Sequence, residues 1–193
     1  MIFPVIETNR LILRQPIKDD ASDMLEYLSD QEVVKHMGLL PFQSIEEAHG
    51  EMQWYDSILK DGSGIRWGIT LKENNRMIGS CGFLNMAAEH SRAEIGYELS
   101  RYYWGKGIAG EALEAIVLYG FKHFHLERIQ ALIELENSPS QRLVEAKGFQ
   151  REGLLRHYEC TNGNFDDLYM YSLLKSDLDD KIRGVENGWK RKS

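Results

Sequence analysis

The chain has almost no cysteine: Cys81 and Cys160 are its only two in 193 residues, and neither belongs to a CxxC or Cys/His cluster. A disulfide framework and a cysteine-built metal centre have no basis here, and two packed, reduced thiols in a cytoplasmic protein are expected. The six histidines are scattered, with only His123 and His125 close together, so no metal site is expected. Proline is scarce, at four residues, and no repeat, low-complexity tract or interdomain linker is visible. No apolar run approaches the roughly 18 residues needed to span a bilayer. MIFPVIETNR lacks the basic start and small-residue cleavage site of a secretory leader. Basic residues are outnumbered, and the net charge of −7 argues against direct nucleic-acid binding, which usually needs a basic face. An acidic chain is suited instead to a cationic partner such as an amine, although solubility alone accounts for the charge equally well.

What is present is an ordinary globular composition, 42% hydrophobic and 27% charged, over a length that suits one domain with a sizeable core. RLILRQ (10–15) predicts a strand, and DDASDMLEYLSD (19–30) a helix with Ala21, Met24, Leu25 and Leu28 at helical spacing. Gly38 and Pro41 break the chain. Ser44 and Glu47 form a capping-box pair ahead of Ile45, Ala48, Met52, Tyr55 and Leu59, in a helix that Gly62 and Gly64 end. The period then changes: Ile65, Trp67, Ile69 and Leu71 alternate with Arg66, Gly68 and Thr70, which predicts a half-buried strand. The turn at 73–75 leads to RMIGSCGFL, and a loop leads to AEIGYELS, completing an antiparallel meander.

Next comes WGKGIAGEA (104–112), with glycines and a lysine directly ahead of a helical pattern running from Ile108 to Phe124. If that helix is a crossover, RIQALIEL (128–135) lies parallel to AEIGYELS. Ser138, Pro139 and Gln141 predict a capped helix with proline at its first position, stopping at Gly148. A closing hairpin from about Phe149 to Leu174 is expected to turn at Asn162 and Gly163. The reading is a single-domain α/β (α+β) protein over 8–174. Its mixed sheet has an antiparallel N-terminal meander, one parallel crossover and a C-terminal hairpin, and a polar tail follows over 175–193.

Gly105, Gly107 and Gly110 satisfy GxGxxG, and Glu134 lies where a ribose-binding acid would sit. A doubly wound dinucleotide fold, however, needs several βαβ units, and only one is visible. A Walker A loop is excluded because no GK[ST] is present. Small residues at a helix N-terminus still offer free N–H groups and a positive dipole end, and a pyrophosphate suits them.

Strand order and loop together resemble the GNAT superfamily of N-acetyltransferases, over roughly residues 8 to 174. That family's (Gln/Arg)-x-x-Gly-x-(Gly/Ala) loop maps onto Trp104, Gly107 and Ala109, with Trp104 departing from Gln/Arg. "YWGKGIA", "ENSPSQRLVEAKGFQREGLLRHY" and "NGNFDDLYMYSLL" are similar to the branch that acetylates ribosomal-protein N-terminal alanine or serine. The resemblance implies acetyl-CoA as acetyl donor and no metal. It puts the pyrophosphate on Gly105, Lys106, Gly107, Ile108, Ala109 and Gly110, with added charge from Lys106 and Arg101. It implies a splayed strand pair with the pantetheine arm beside Tyr97, Glu98 and Leu99, and Asn137 and Ser140 as further cofactor contacts. The partner implied is an amine, either a protein N-terminus or a small amine, and the protein is expected as a monomer or homodimer.

Acetyl transfer to an amine needs a base, an oxyanion site and a proton for the leaving thiolate. Alternation puts Glu94, Gly96 and Glu98 on one strand face, so Glu94 and Glu98 are candidate bases, with Glu89 and His90 behind them. Many members use a helical tyrosine as the acid; Val144 stands at that position, and Ser140 is the candidate donor instead. A covalent acetyl-cysteine is not expected, since neither cysteine has an adjacent histidine. A catalytically silent CoA-binding sensor is the alternative from another class. An acceptor groove is expected between 38–54 and 158–165. It would offer the aromatics Trp54, Tyr55, Tyr158 and Phe165 and the acids Glu46, Glu47, Glu159 and Asp166.

Overall fold

The computed structural model describes residues 3–161 and 163–178. Strands β1 (Ile6–Glu7), β2 (Leu11–Arg14), β3 (Ile65–Leu71), β4 (Met77–Ala87), β5 (Arg92–Leu99), β6 (Arg128–Glu134), β7 (Gln150–Thr161) and β8 (Asn164–Leu174) form one sheet. Their order is β1-β2-β3-β4-β5-β6-β8-β7. Neighbours are antiparallel except β5 and β6, which are parallel. The mixed α/β architecture expected from the sequence is the one found, down to the single crossover and the closing hairpin.

Helices cover both faces. On one side lie α1 (Ala21–Leu28), the short α2 (Gln31–Val34) and α3 (Ile45–Asp61). Met24, Tyr27, Leu28, Ala48 and Tyr55 pack there with Met77 of the sheet. On the other lie α4 (Ile108–His123) and α5 (Ser138–Lys147), over a larger core that includes Trp67, Phe83, Leu113, Ile116 and Val144. The alternation in β3 predicted a half-buried strand, yet all seven of its residues are buried. Trp67 packs against Tyr119 of α4 on one face, and Arg66 sits over the Tyr55 ring of α3 on the other. The polar half of the alternation is covered by a second helical layer.

Local sequence explains the boundaries. Ser44 and Glu47 form the expected capping box of α3, and Gly62 ends it in the left-handed region at φ 78°. The cap of α5 is Asn137 rather than Ser138: its Oδ1 accepts from the Ser140 N–H at 3.2 Å. Proline then falls within the first turn, where its missing N–H would have had no helical partner. The short β1 and α2 went unpredicted, being too brief to show a period. Of the expected turn residues, Gly163 has φ 83° and Asn162 lies outside the described residues. Of the tail, 175–178 are helical and the rest lies outside the described residues. Cys81 is buried as expected, but Cys160 is exposed on edge strand β7, which has a partner on one side only.

Candidate active site

β5 and β6 stay paired only through Arg92–Arg128, Ala93–Ile129 and Glu94–Gln130. Beyond Glu94 they part. β5 follows β4 as far as the Gly79–Leu99 pair, while β6 follows β8 along its whole length. The V between them widens into a cleft of about 610 Å³. Tyr97, Glu98, Leu99, Gly105, Gly107, Ile108, Ala109, Gly110, Asn137 and Ser140 all line it. Lys106 does not: its ammonium lies 5.3 Å from the centre of the Tyr103 ring. Arg101 is likewise engaged elsewhere, 2.9 Å from Asp30.

The glycine loop is shaped by its backbone. Gly105 and Gly107 have φ of 72° and 74°, and Gly107 is the N-cap of α4 with no side chain covering the first N–H groups. A free helix N-terminus therefore opens on the cleft, the arrangement that binds phosphate. Arg10 holds the loop from outside, donating to the Lys106 carbonyl at 2.8 Å and to Glu111 at 2.7 Å. Thr8 donates to the same carboxylate at 2.6 Å. These anchors were invisible in the sequence because the partners are about a hundred positions apart. Trp104, the departure in the loop pattern, donates its indole N–H to the Leu99 carbonyl at 2.8 Å and so ties the loop back to the end of β5.

On the α4/α5 side of the cleft, Tyr97 Oη and Ser140 Oγ are 2.6 Å apart. Burial pushes the Tyr97 hydroxyl up to about 12, against a smaller opposing effect of the Ser140 hydrogen bond. Val144, one turn further along α5, is fully buried in the core.

The two candidate bases have different surroundings. Glu98 is buried and paired with Arg66, and it accepts from Ser80 and from Tyr55. Its carboxylate is engaged by all three partners, although Glu98 also lines the cleft. Glu94 sits at the paired end of the V, on the strand face opposite Tyr97 and not among the residues that line the cleft, and Asn85 donates to it at 3.4 Å. Burial raises its carboxyl above the ordinary value; hydrogen bonds to Asn85 and Gln130 oppose this, and the charge of Glu159 adds to it. A carboxylate whose pKa is raised is a stronger base. Glu89 and His90 lie on an exposed turn, 3.8 Å from each other and away from the cleft.

The two segments expected to frame an acceptor groove approach each other at one point. Thr161 at the end of β7 is close enough to touch any side chain placed at Gly38. Trp54, Tyr158 and Phe165 are exposed, with Phe165 stacked on His157. Tyr55 is not available, because it is buried against Ser80 and Glu98. Glu47 is used in capping α3. Two groups were missed by the sequence reading. His36, in the segment after α2, meets Glu134 at the end of β6 at 2.5 Å and lines the cleft. Glu51 on α3 is raised by burial and by neighbouring Glu98. Neither shows any motif that could have identified it.

Comparison with known proteins agrees with this geometry. The family model described as acetyltransferase (GNAT) domain matches residues 10–150. A Bacillus licheniformis protein named as an uncharacterized N-acetyltransferase is 44% identical, with 87% of this chain and 94% of that protein covered. The ribosomal protein uS5-alanine N-acetyltransferase of Escherichia coli is 26% identical, covering 89% of this chain and 91% of its own. The crystal structure of a GNAT-family acetyltransferase from Bacillus anthracis superposes with a TM-score of 0.80 at 29% identity, over 90% of this chain and 99% of that one.

Proposed function

We propose, from the premise that this chain belongs to the acetyltransferase (GNAT) domain family, that it transfers acetyl from acetyl-CoA directly to a peptide or protein N-terminal amine. The observation that carries the reading is the V between β5 and β6. It is closed at one end beside the raised carboxyl of Glu94 and open at the other on the uncapped N-terminus of α4. A long donor with a pyrophosphate at one end and a thioester at the other suits that span.

In this mechanism the N–H groups of 105–110 bind the pyrophosphate, with Gly107 allowing close approach. The open edge of β5 at Tyr97 to Leu99 flanks the pantetheine arm, and its N–H groups stabilise the oxyanion as the thioester carbonyl is attacked. Glu94 takes the proton from the attacking amine, directly or through water. Ser140 supplies a proton to the departing thiolate. Direct transfer fits the cysteines: burial pushes Cys81 up to about 12, leaving it protonated, and Cys160 lies on the exposed edge strand.

The peptide assignment rests on the exposed aromatics Trp54, Tyr158 and Phe165 and on the likeness to the uS5-alanine enzyme. The acids Glu51, Glu94 and Glu159 would also suit a small cationic amine. The test is thiol release from acetyl-CoA with Ala- or Ser-initiated peptides, polyamines and aminoglycosides, compared as kcat/KM. Peptides are expected to lead. A small amine ahead by about a hundredfold would overturn the acceptor and leave the chemistry standing. Acetyl-CoA binding without turnover on any amine would favour a silent sensor.

A further inference from the structure

From the contact between strand β5 and helix α5, we infer that Tyr97 is a positioning residue for protonation of the leaving thiolate, acting through Ser140. The inference rests on the acetyl-transfer reading above. Each hydroxyl carries one proton and can accept two hydrogen bonds. The two oxygens are 2.6 Å apart, so one of them donates to the other. If Ser140 donated, its only proton would be engaged with Tyr97 and not free for a sulfur. If Tyr97 donates, Ser140 Oγ is held as an acceptor and its own proton is free to point at a sulfur in the cleft that both residues line.

Either hydroxyl can be the donor in this contact, and the second arrangement is the one that serves the reaction. The backbone of Ser140 is fixed by the Asn137 cap at 3.2 Å, so its Oγ is presented from a rigid first turn. Val144 lies on the same face of α5 one turn on, fully buried, and has no proton to offer. Tyr97 stands on β5, where pairing to β4 continues to Leu99. Its burial-raised hydroxyl keeps its proton across the working range.

The step balances as follows. The amine nitrogen bonds to the thioester carbon and the carbonyl π pair moves to oxygen, while the proton lost by nitrogen passes to Glu94 and on to solvent. Collapse restores C=O and breaks C–S, leaving the bonding pair on sulfur. Sulfur takes the Ser140 proton as Oγ takes one from water, and the proton that Glu94 released to solvent neutralises the hydroxide; Tyr97 keeps its own proton and holds Oγ in place. The products are the acetylated amine and free CoA thiol.

Tyr97→Phe, Ser140→Ala and the double variant, compared at saturating acetyl-CoA and peptide, test the assignment. Each single change should lower kcat by roughly tenfold to a hundredfold, with the acetyl-CoA KM within about twofold of the parent. The double variant should fall no further than the worse single, because the two hydroxyls act as one unit. The solvent deuterium isotope effect on kcat should shrink in both. Full turnover in Tyr97→Phe beside a crippled Ser140→Ala overturns the role of Tyr97 and leaves Ser140 as donor. Full turnover in Ser140→Ala removes the donor itself, and the inference with it. Multiplying defects, or a Tyr97→Phe effect confined to KM, would make Tyr97 only a wall of the cleft. Ser140→Thr keeps a hydroxyl beside Tyr97 and serves if Tyr97→Phe folds poorly. It should retain the isotope effect that Ser140→Ala loses, and losing it equally would overturn the inference.

Discussion

Arg66 on β3 and Glu98 on β5 form a buried ion pair that passes over β4 between them, where Ser80 hydrogen-bonds to both. Gly96 makes the room: a Cβ there would come within 2.9 Å of the guanidinium. Tyr55 adds a hydrogen bond to Glu98 at 3.3 Å, and its ring lies 5.3 Å from the guanidinium carbon. The pair acts on the part of β5 that has lost β6 as a neighbour. It pins one side of the strand so that the other edge can stay open to the cleft.

Arg66→Met should therefore leave a buried carboxylate without its partner and lower unfolding stability by about 3–5 kcal/mol. A combined Arg66→Met and Glu98→Leu change should be much less damaging than the two single losses added together, since no orphan charge remains. Urea unfolding followed by far-UV circular dichroism measures both. Additive losses would show that the pair is not coupled.

The fold was legible because periodicity and punctuation agree in this chain. The capping box at Ser44, the glycine at 62 and the apolar stripe from Ile108 each stand where the structure uses them. The cleft was legible through its glycine loop. What could not be read were relationships between distant positions. Tyr97 meeting Ser140, Arg10 meeting Glu111 and His36 meeting Glu134 each join residues that share no local pattern. Alternation in β5 put Glu94 and Glu98 on one face correctly, yet only packing decided that Glu98 is tied to Arg66 while Glu94 is raised by burial. The same limit explains the misread half of β3, where a pattern of polar residues says nothing about a second helical layer above them.

Cys81→Ala should keep kcat within a few-fold of the parent, because direct transfer forms no acetyl-cysteine. The buried thiol, pushed up to about 12, should also resist iodoacetamide near pH 7 in the folded protein. Activity and peptide mapping of the alkylated protein read the two outcomes. Loss of turnover on alkylation of Cys81 would point to a covalent route.

Gly107→Val should weaken acetyl-CoA binding at least tenfold. Its φ of 74° is a conformation in which an L residue, a β-branched one above all, is strained by roughly 1–2 kcal/mol. Space is not the issue in the free protein: a Cβ at 107 would meet only Arg10, at 3.6 Å. The damage expected is a turned backbone and a side chain where phosphate approaches the α4 N-terminus. Calorimetric titration with acetyl-CoA, together with a melting curve, separates lost affinity from lost fold. An unchanged affinity would remove the loop from the donor site.

Glu94→Gln joins activity and stability with opposite signs. As base, Glu94 must be ionised, so kcat/KM for the amine should climb with pH through its raised pKa, and the variant should lose that acid-side dependence. The expected loss at neutral pH is on the order of 10²–10⁴. Stability runs the other way. A carboxyl whose folded pKa lies above its unfolded value binds more protons when folded in the window between the two, so stability falls as pH rises through that window. Above it, the ionised Glu94 is a burden that glutamine relieves, while Asn85 and Gln130 keep an amide oxygen to donate to. The variant should melt higher than the parent at pH 7 and show no such gain at acid pH, where Glu94 is protonated in the folded and the unfolded chain alike. Melting curves across that range, beside the pH profile of kcat/KM, check both halves. A Glu94→Gln protein that keeps its turnover would move the base elsewhere, and His36, which lines the cleft and is held by Glu134, would be the group to examine.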